Sequence, residues 1–245
     1  MDFVNTLILF STAFLGGSLI FLFKENQNKR LKLLLSFSGA YLFAITVLHL
    51  LPEVYSTSDH SIGLFILLGF AFQIVLEQFS EGIEHGHIHV HHHHAASFPW
   101  GIMISLSLHA FLEGMPLLSH HHDGQSADMD QSLLYGIALH HIPAAFALTS
   151  VLNGNKVSKR NTILLLILFA CMTPLGSFTA NWLQHSTGKD LAQYFNYMMG
   201  IVIGIFLHIS TTILFESNVD HRFNFYKMIA IVLGAGIAIL NFLIH

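Results

Sequence analysis

Eight runs of roughly twenty apolar residues, separated by short polar loops, constrain this chain more than any other feature. They lie at about 3 to 23, 32 to 54, 61 to 83, 97 to 118, 132 to 152, 161 to 184, 192 to 215 and 224 to 244. A bilayer hydrocarbon core of about 30 Å takes about 20 helical residues to cross, so each run predicts one spanning helix. Lipid offers no partner to a backbone N–H or C=O, so every span has to satisfy its own hydrogen bonds. The expectation is an all-α polytopic membrane protein, a single eight-helix domain over residues 1–245 with no soluble domain. Charged residues make up only 10% of the chain and the mean hydropathy is +0.60, which is too little charge to solvate a globule of this size. A formal net charge of −4 gives no sign of nucleic-acid binding.

The basic residues orient the spans. With the N-terminus outside, Lys24, Lys29, Arg30, Lys32, Lys156, Lys159, Arg160, Arg222 and Lys227 fall in or beside cytoplasmic loops, and only Lys189 falls outside. That asymmetry puts both termini outside and agrees with an even number of spans. In the first span the positive charges follow the apolar run instead of preceding it, so it reads as a retained helix and not a secretory signal. The only cysteine, Cys171, lies inside the sixth span, which excludes a disulfide framework and a cysteine-based zinc site.

Ionisable groups near the middle of such spans are costly to insert and mark ion or proton paths. His109 and Glu113 stand four apart in the fourth span, on one helical face, with Gly114 beside them for close helix approach. A neutral imidazole with a carboxylate suits a divalent transition metal, zinc first, although the same pair would also serve as a hydrogen bond stitching two helices together. His140 and His141 occupy the middle of the fifth span and point about 100° apart, so only one of them fully faces a given site. Pro143 is expected to kink that helix and free the Leu139 carbonyl beside His140. The fourth and fifth spans run in opposite directions, so the four side chains meet at one depth. Three such ligands leave a coordination position open, as suits a passing ion.

Other spans add polar groups. His49 and Glu53 flank Pro52 at the outer end of the second, and Glu77, Glu81 and Glu84 mark the inner end of the third. Thr173-Pro174 is expected to interrupt the sixth. His208 lies slightly inward of the middle of the seventh, with Ser210, Thr211 and Thr212 nearby and Glu216 at the inner end, where snorkelling to the interface accounts for it. The loop at 84–96, with His85, His87, His89 and a run of further histidines, is expected in the cytoplasm and reads as a low-specificity metal chelator or as solvated sequence. His120, His121 and His122 give the outer loop similar chemistry, followed by Asp123, Asp128 and Asp130. Gly200 and Gly204 are spaced to pack helices within one chain or between two, and the latter case would give a homodimer.

In order along the chain these elements resemble the ZIP (Zrt- and Irt-like) family of divalent metal transporters. His49 through Glu53 is similar to that family's His-x-x-Pro-Glu element, and Leu68 through Glu77, followed by Glu84-His85-Gly86-His87, resembles its third helix running into a His-rich loop. His109 through Gly114 resembles the His-Asn-x-x-Asp/Glu-Gly signature, and His140 through Pro143 the start of His-Glu-x-Pro-His-Glu. Thr173-Pro174-Leu175-Gly176 resembles Glu-Pro-Leu-Gly on the sixth helix, and Gly204 through Ser210 the seventh helix. The resemblance implies helices in a 3+2+3 arrangement, with the first and last three forming an inverted repeat around helices four and five. It also implies a metal site between those two, often binuclear. Metal would move toward the cytoplasm as helices one, four, five and six shift against the remainder.

The chain departs from the family pattern at the positions that carry charge. Ala110 stands where Asn is usual, His141 where Glu or Asp is usual, Ala144 at the next ligand position and Thr173 at the sixth-helix Glu. The expectation is one principal site made by His109, Glu113 and His140, completed by His141 or His208. Imidazole in place of carboxylate favours Zn²⁺ over harder ions such as Mn²⁺, with other divalent transition metals after it. The function expected is zinc transport toward the cytoplasm, through the cell membrane. The alternative is a membrane metal sensor or a transport-impaired relative. An intramembrane zinc hydrolase is less favoured, because the chain has neither a His-Glu-x-x-His element nor a Gly-x-Ser-x-Gly elbow.

Overall fold

The computed structural model describes residues 3–22, 27–57, 60–80, 82–83, 98–118, 127–187, 192–215 and 225–244. These form α1 (Phe3–Ser18), α2 (Gln27–Ile45), α3 (Leu51–Thr57), α4 (Ile62–Ser80), α5 (Trp100–Gly114), α6 (Ala127–Gly154), α7 (Lys159–Thr187), α8 (Ala192–Phe215) and α9 (Phe225–Ile244). No β-strand occurs among the described residues. A π-helical turn, Thr46–Leu50, joins α2 to α3, so the two form one rod that is the second span. Seven of the rods are long and apolar enough to cross a membrane. The eighth, α5, has 15 residues and runs into the 3₁₀ turn Met115–Leu118. At about 1.5 Å per α-helical residue and about 2.0 Å per 3₁₀ residue the two cover roughly 30 Å, the thickness of the hydrocarbon core.

The helices pack as two groups of four rods. In one, α1 lies on α6 and α7, and α5 lies on α7; in the other, α4 lies on α8, and α2 lies on α8 and α9. The groups meet where α2 crosses α6 and where α4 crosses α5. Exchanging the first three spans for the last three maps α1 on α6 onto α7 on α5, and α4 on α8 onto α9 on α2. This is the pairing expected of an inverted repeat around the two central helices. The second of these, α6, is the most enclosed, whereas α9 turns Val232, Leu233, Leu240 and Ile244 outward as a bilayer-facing surface does.

Helices in lipid have no hydrophobic drive toward one another, so small residues at their crossings decide which pairs form. A Cβ on Gly69 of α4 would strike the Ile201 carbonyl, and one on Gly204 of α8 would strike the Ile66 carbonyl. Gly200 meets Ile62 on the same crossing, so both glycines of the seventh span pack helices within the chain. Ser210, Thr211 and Thr212 bond carbonyls of their own helix at Phe206, Leu207 and His208, the usual way a span satisfies a buried hydroxyl.

Pro174 departs from the sequence expectation of an interrupted span. Pro143 and Pro174 lie inside the continuous helices α6 and α7, and neither interrupts its span. Packed neighbours hold the helical dihedrals across a proline even though its missing N–H removes one bond. Changes of helix type fall instead at Pro116, in the 3₁₀ turn after α5, and at Pro52, where Leu51 N–H reaches back five residues to the Thr46 carbonyl and widens the turn just before the ring.

Candidate metal centre

Close contact of α5 with α7, and of α6 with both groups, brings the central polar residues together. His109 and Glu113 come from successive turns of α5; His140 and His141 come from α6. All four are buried. One ligand atom from each of His109, Glu113 and His140 lies within 4.8 Å of the other two. Zinc bonds of about 2.0–2.2 Å in a tetrahedron place ligand atoms roughly 3.4 Å apart, so a modest inward movement of the three side chains would close them on an ion. The His109 and His140 rings are 5.9 Å apart and nearly perpendicular, so they approach the space between them from different directions.

Glu113 divides its two oxygens between two histidines. Oε1 lies 2.9 Å from His109 Nε2, and Oε2 lies 2.7 Å from His141 Nε2. His141 is held on its other side by α7: its Nδ1 is 3.4 Å from Thr173 Oγ1, and its ring meets Phe169 edge-on with centroids 5.8 Å apart. Phe169 was not legible as a site residue, although its position one helical turn before Thr173 on a span facing the site is the signal that would have found it. Ser105, one turn before His109, bonds the Leu76 carbonyl of α4 at 2.7 Å and ties the site helix to the other group.

His208 and Glu77 form a second pair, Nε2 to Oε2 at 2.6 Å, where α8 crosses α4. The His208 ring also meets Phe70 edge-on. His49, in the π-helical turn, lies against Phe242 of α9, and Glu53 is half-buried on α3. None of His49, Glu53, Glu77, His208 and Thr173 belongs to the triad of His109, Glu113 and His140. Glu84, His85, His87, His89, His120, His121, His122 and Glu216 lie outside the described residues.

A family model described as ZIP zinc transporter matches residues 84–241. Zinc transporter ZIP9-B of Xenopus laevis is 27% identical over 166 residues, 62% of this chain and 53% of the relative. Zinc transporter ZIP9 of Xenopus tropicalis is 28% identical over the same length and shares. Zinc transporter ZIP1 of Plasmodium falciparum (isolate 3D7) is 24% identical over 295 positions, covering 87% of this chain and 80% of the relative. The chain spans about half the length of the frog relatives it matches. With the family model covering more than half of its length, including both site helices, this membrane protein belongs to the ZIP zinc transporter family.

Proposed function

We propose that the chain carries a divalent transition metal, zinc first, across the membrane toward the cytoplasm through one midplane site made by His109, Glu113 and His140. The observation that carries the reading is the buried triad itself: two imidazoles and a carboxylate, from two antiparallel spans, with ligand atoms within 4.8 Å. The relatives' names point to the same cargo. Two neutral nitrogens and one carboxylate suit zinc better than a hard cation. They leave a coordination position for a ligand exchanged on entry and exit.

A single ionised carboxylate leaves a bound dication about one charge in excess. Uncompensated charge is expensive in a low-dielectric interior, so the site favours release over tight retention. The orientation read from the basic residues places both termini outside and the 84–96 loop in the cytoplasm of a cell membrane. There its histidines would receive ions after passage, as His120, His121 and His122 would gather them before it. The chain is read as a carrier and not as an enzyme.

Radioactive zinc uptake into proteoliposomes, beside a His109→Ala, His140→Ala double variant, tests the reading. Uptake by the parent that the variant lacks supports a carrier using this site. Zinc binding by the parent without uptake favours a sensor or transport-impaired relative. Thr173, a hydroxyl where the family pattern has a carboxylate, is the feature consistent with that second reading.

A further inference from the structure

We infer that His141 is a positioning residue for Glu113 and not a metal ligand: with Thr173 it fixes one carboxylate oxygen so that the other, with His109 and His140, faces a single ion. The inference rests on the midplane site proposed above and assigns the role of its fourth buried side chain.

Adjacent residues on a helix point about 100° apart, so the two histidines of α6 reach the α5 residues from different sides. The compact triad takes His140. His141 approaches Glu113 from another direction, with ring centroids of the two histidines 6.3 Å apart. Its Nε2 is 2.7 Å from Oε2. An ionised carboxylate only accepts hydrogen bonds, so this nitrogen carries the proton; the same holds for His109 Nε2 beside Oε1 at 2.9 Å, and what sets His141 apart is the partner on its other nitrogen. The remaining nitrogen, Nδ1, faces the Thr173 hydroxyl at 3.4 Å, where Thr173 donates and Nδ1 accepts. Both nitrogens are then engaged, one by Glu113 and one by Thr173, and Phe169 supports the ring.

The residues work in sequence. Thr173 sets the tautomer, the tautomer makes Nε2 a donor, and the donor holds Oε2, so Oε1 stays beside His109. Outer partners of this kind orient ligating groups and cost about 10–100-fold in metal affinity when removed. The His141 and Thr173 positions, which in the family pattern carry carboxylates, thus form a support for one remaining carboxylate, and the site holds one ion.

The test is zinc titration of full-length protein, taking for each variant the binding component that His109→Ala, His140→Ala abolishes, so that zinc on the His-rich loops cancels. Glutamine retains an N–H donor for Glu113 but is a poor zinc ligand. His141→Leu is expected to weaken the component by about 10–100-fold, and His141→Gln to restore most of the loss. Thr173→Val should weaken it in the parent and add nothing in the His141→Leu background. Glutamine as damaging as leucine would overturn the inference and make His141 a ligand. Leucine binding as tightly as the parent would overturn it also. A parent with no such component overturns the midplane site itself, and that failure is read from the parent alone.

Discussion

Gly114 and Gly176 face each other across the crossing of α5 and α7, each seated on the other helix's backbone: a Cβ on Gly114 would overlap the Thr173 carbonyl, and one on Gly176 the Phe111 carbonyl. Gly114 follows Glu113, and Thr173 touches His141, so the crossing that lets the helices meet also sets the distance between the site's carboxylate and its support. Gly114→Ala and Gly176→Ala are each expected to push the helices apart, at about 1–3 kcal/mol of stability, and to weaken zinc binding. Gly236→Ala on α9, where a Cβ meets nothing within 4 Å, is expected to change neither. Thermal unfolding midpoints in detergent and zinc titration of the three variants check this; an unperturbed Gly176→Ala would show that the crossing has slack.

Glu113 is the one carboxylate in the triad, and its removal takes away both a ligand and the only compensating charge there. Glu113→Ala is expected to cost more than the roughly 100-fold that losing an outer partner costs. Zinc at 100 times its dissociation constant would stabilise the parent by about 2.7 kcal/mol. Little of that should remain in the variant. Zinc-dependent shifts in the unfolding midpoint measure it, and a variant stabilised as fully as the parent would remove Glu113 from the site.

Ser105 joins the two groups of helices near the site through its bond to the Leu76 carbonyl. Interhelical hydrogen bonds in membranes average about 0.6 kcal/mol, so Ser105→Ala should destabilise the protein only slightly. Because the bond lies on the seam where α4 meets α5 and outside the triad, zinc affinity should hold while the rate of uptake changes. Measuring both in proteoliposomes separates the two effects; a large loss of affinity would place Ser105 with the ligands.

His109 and Glu113 were legible in the sequence because their relation is local: four residues apart on any helix, two side chains share a face. The choice of His140 over His141 came with the family resemblance and not from their spacing. It depends on how α6 is rotated against α5 and α7, which the sum of many distant contacts decides. The pairing of His208 with Glu77 was hidden for the same reason, since 131 positions separate them and only the α4–α8 crossing brings them together. The prolines show a limit of a different kind. The prolines inside the apolar runs have the same chemistry, yet Pro52 and Pro116 come with a change of helix type, whereas Pro143 and Pro174 sit in helices packed against several others. The apolar runs themselves were readable to within a few residues, because lipid imposes one length and one backbone solution on every span.

Acid should empty the site. An imidazole binds metal only when neutral, so protons and zinc compete for His109 and His140, and acidification shifts the competition toward protons. Two imidazoles of the triad must both stay neutral, so zinc affinity should fall between pH 7.5 and 5.5, and more steeply than at a site with one. Glu113 faces His109 within α5, and His141 faces the same carboxylate from α6. The measurement is the zinc affinity of the component that His109→Ala, His140→Ala removes, taken at both pH values so that the loop histidines cancel. An affinity unchanged between them would show that these imidazoles do not bind the ion.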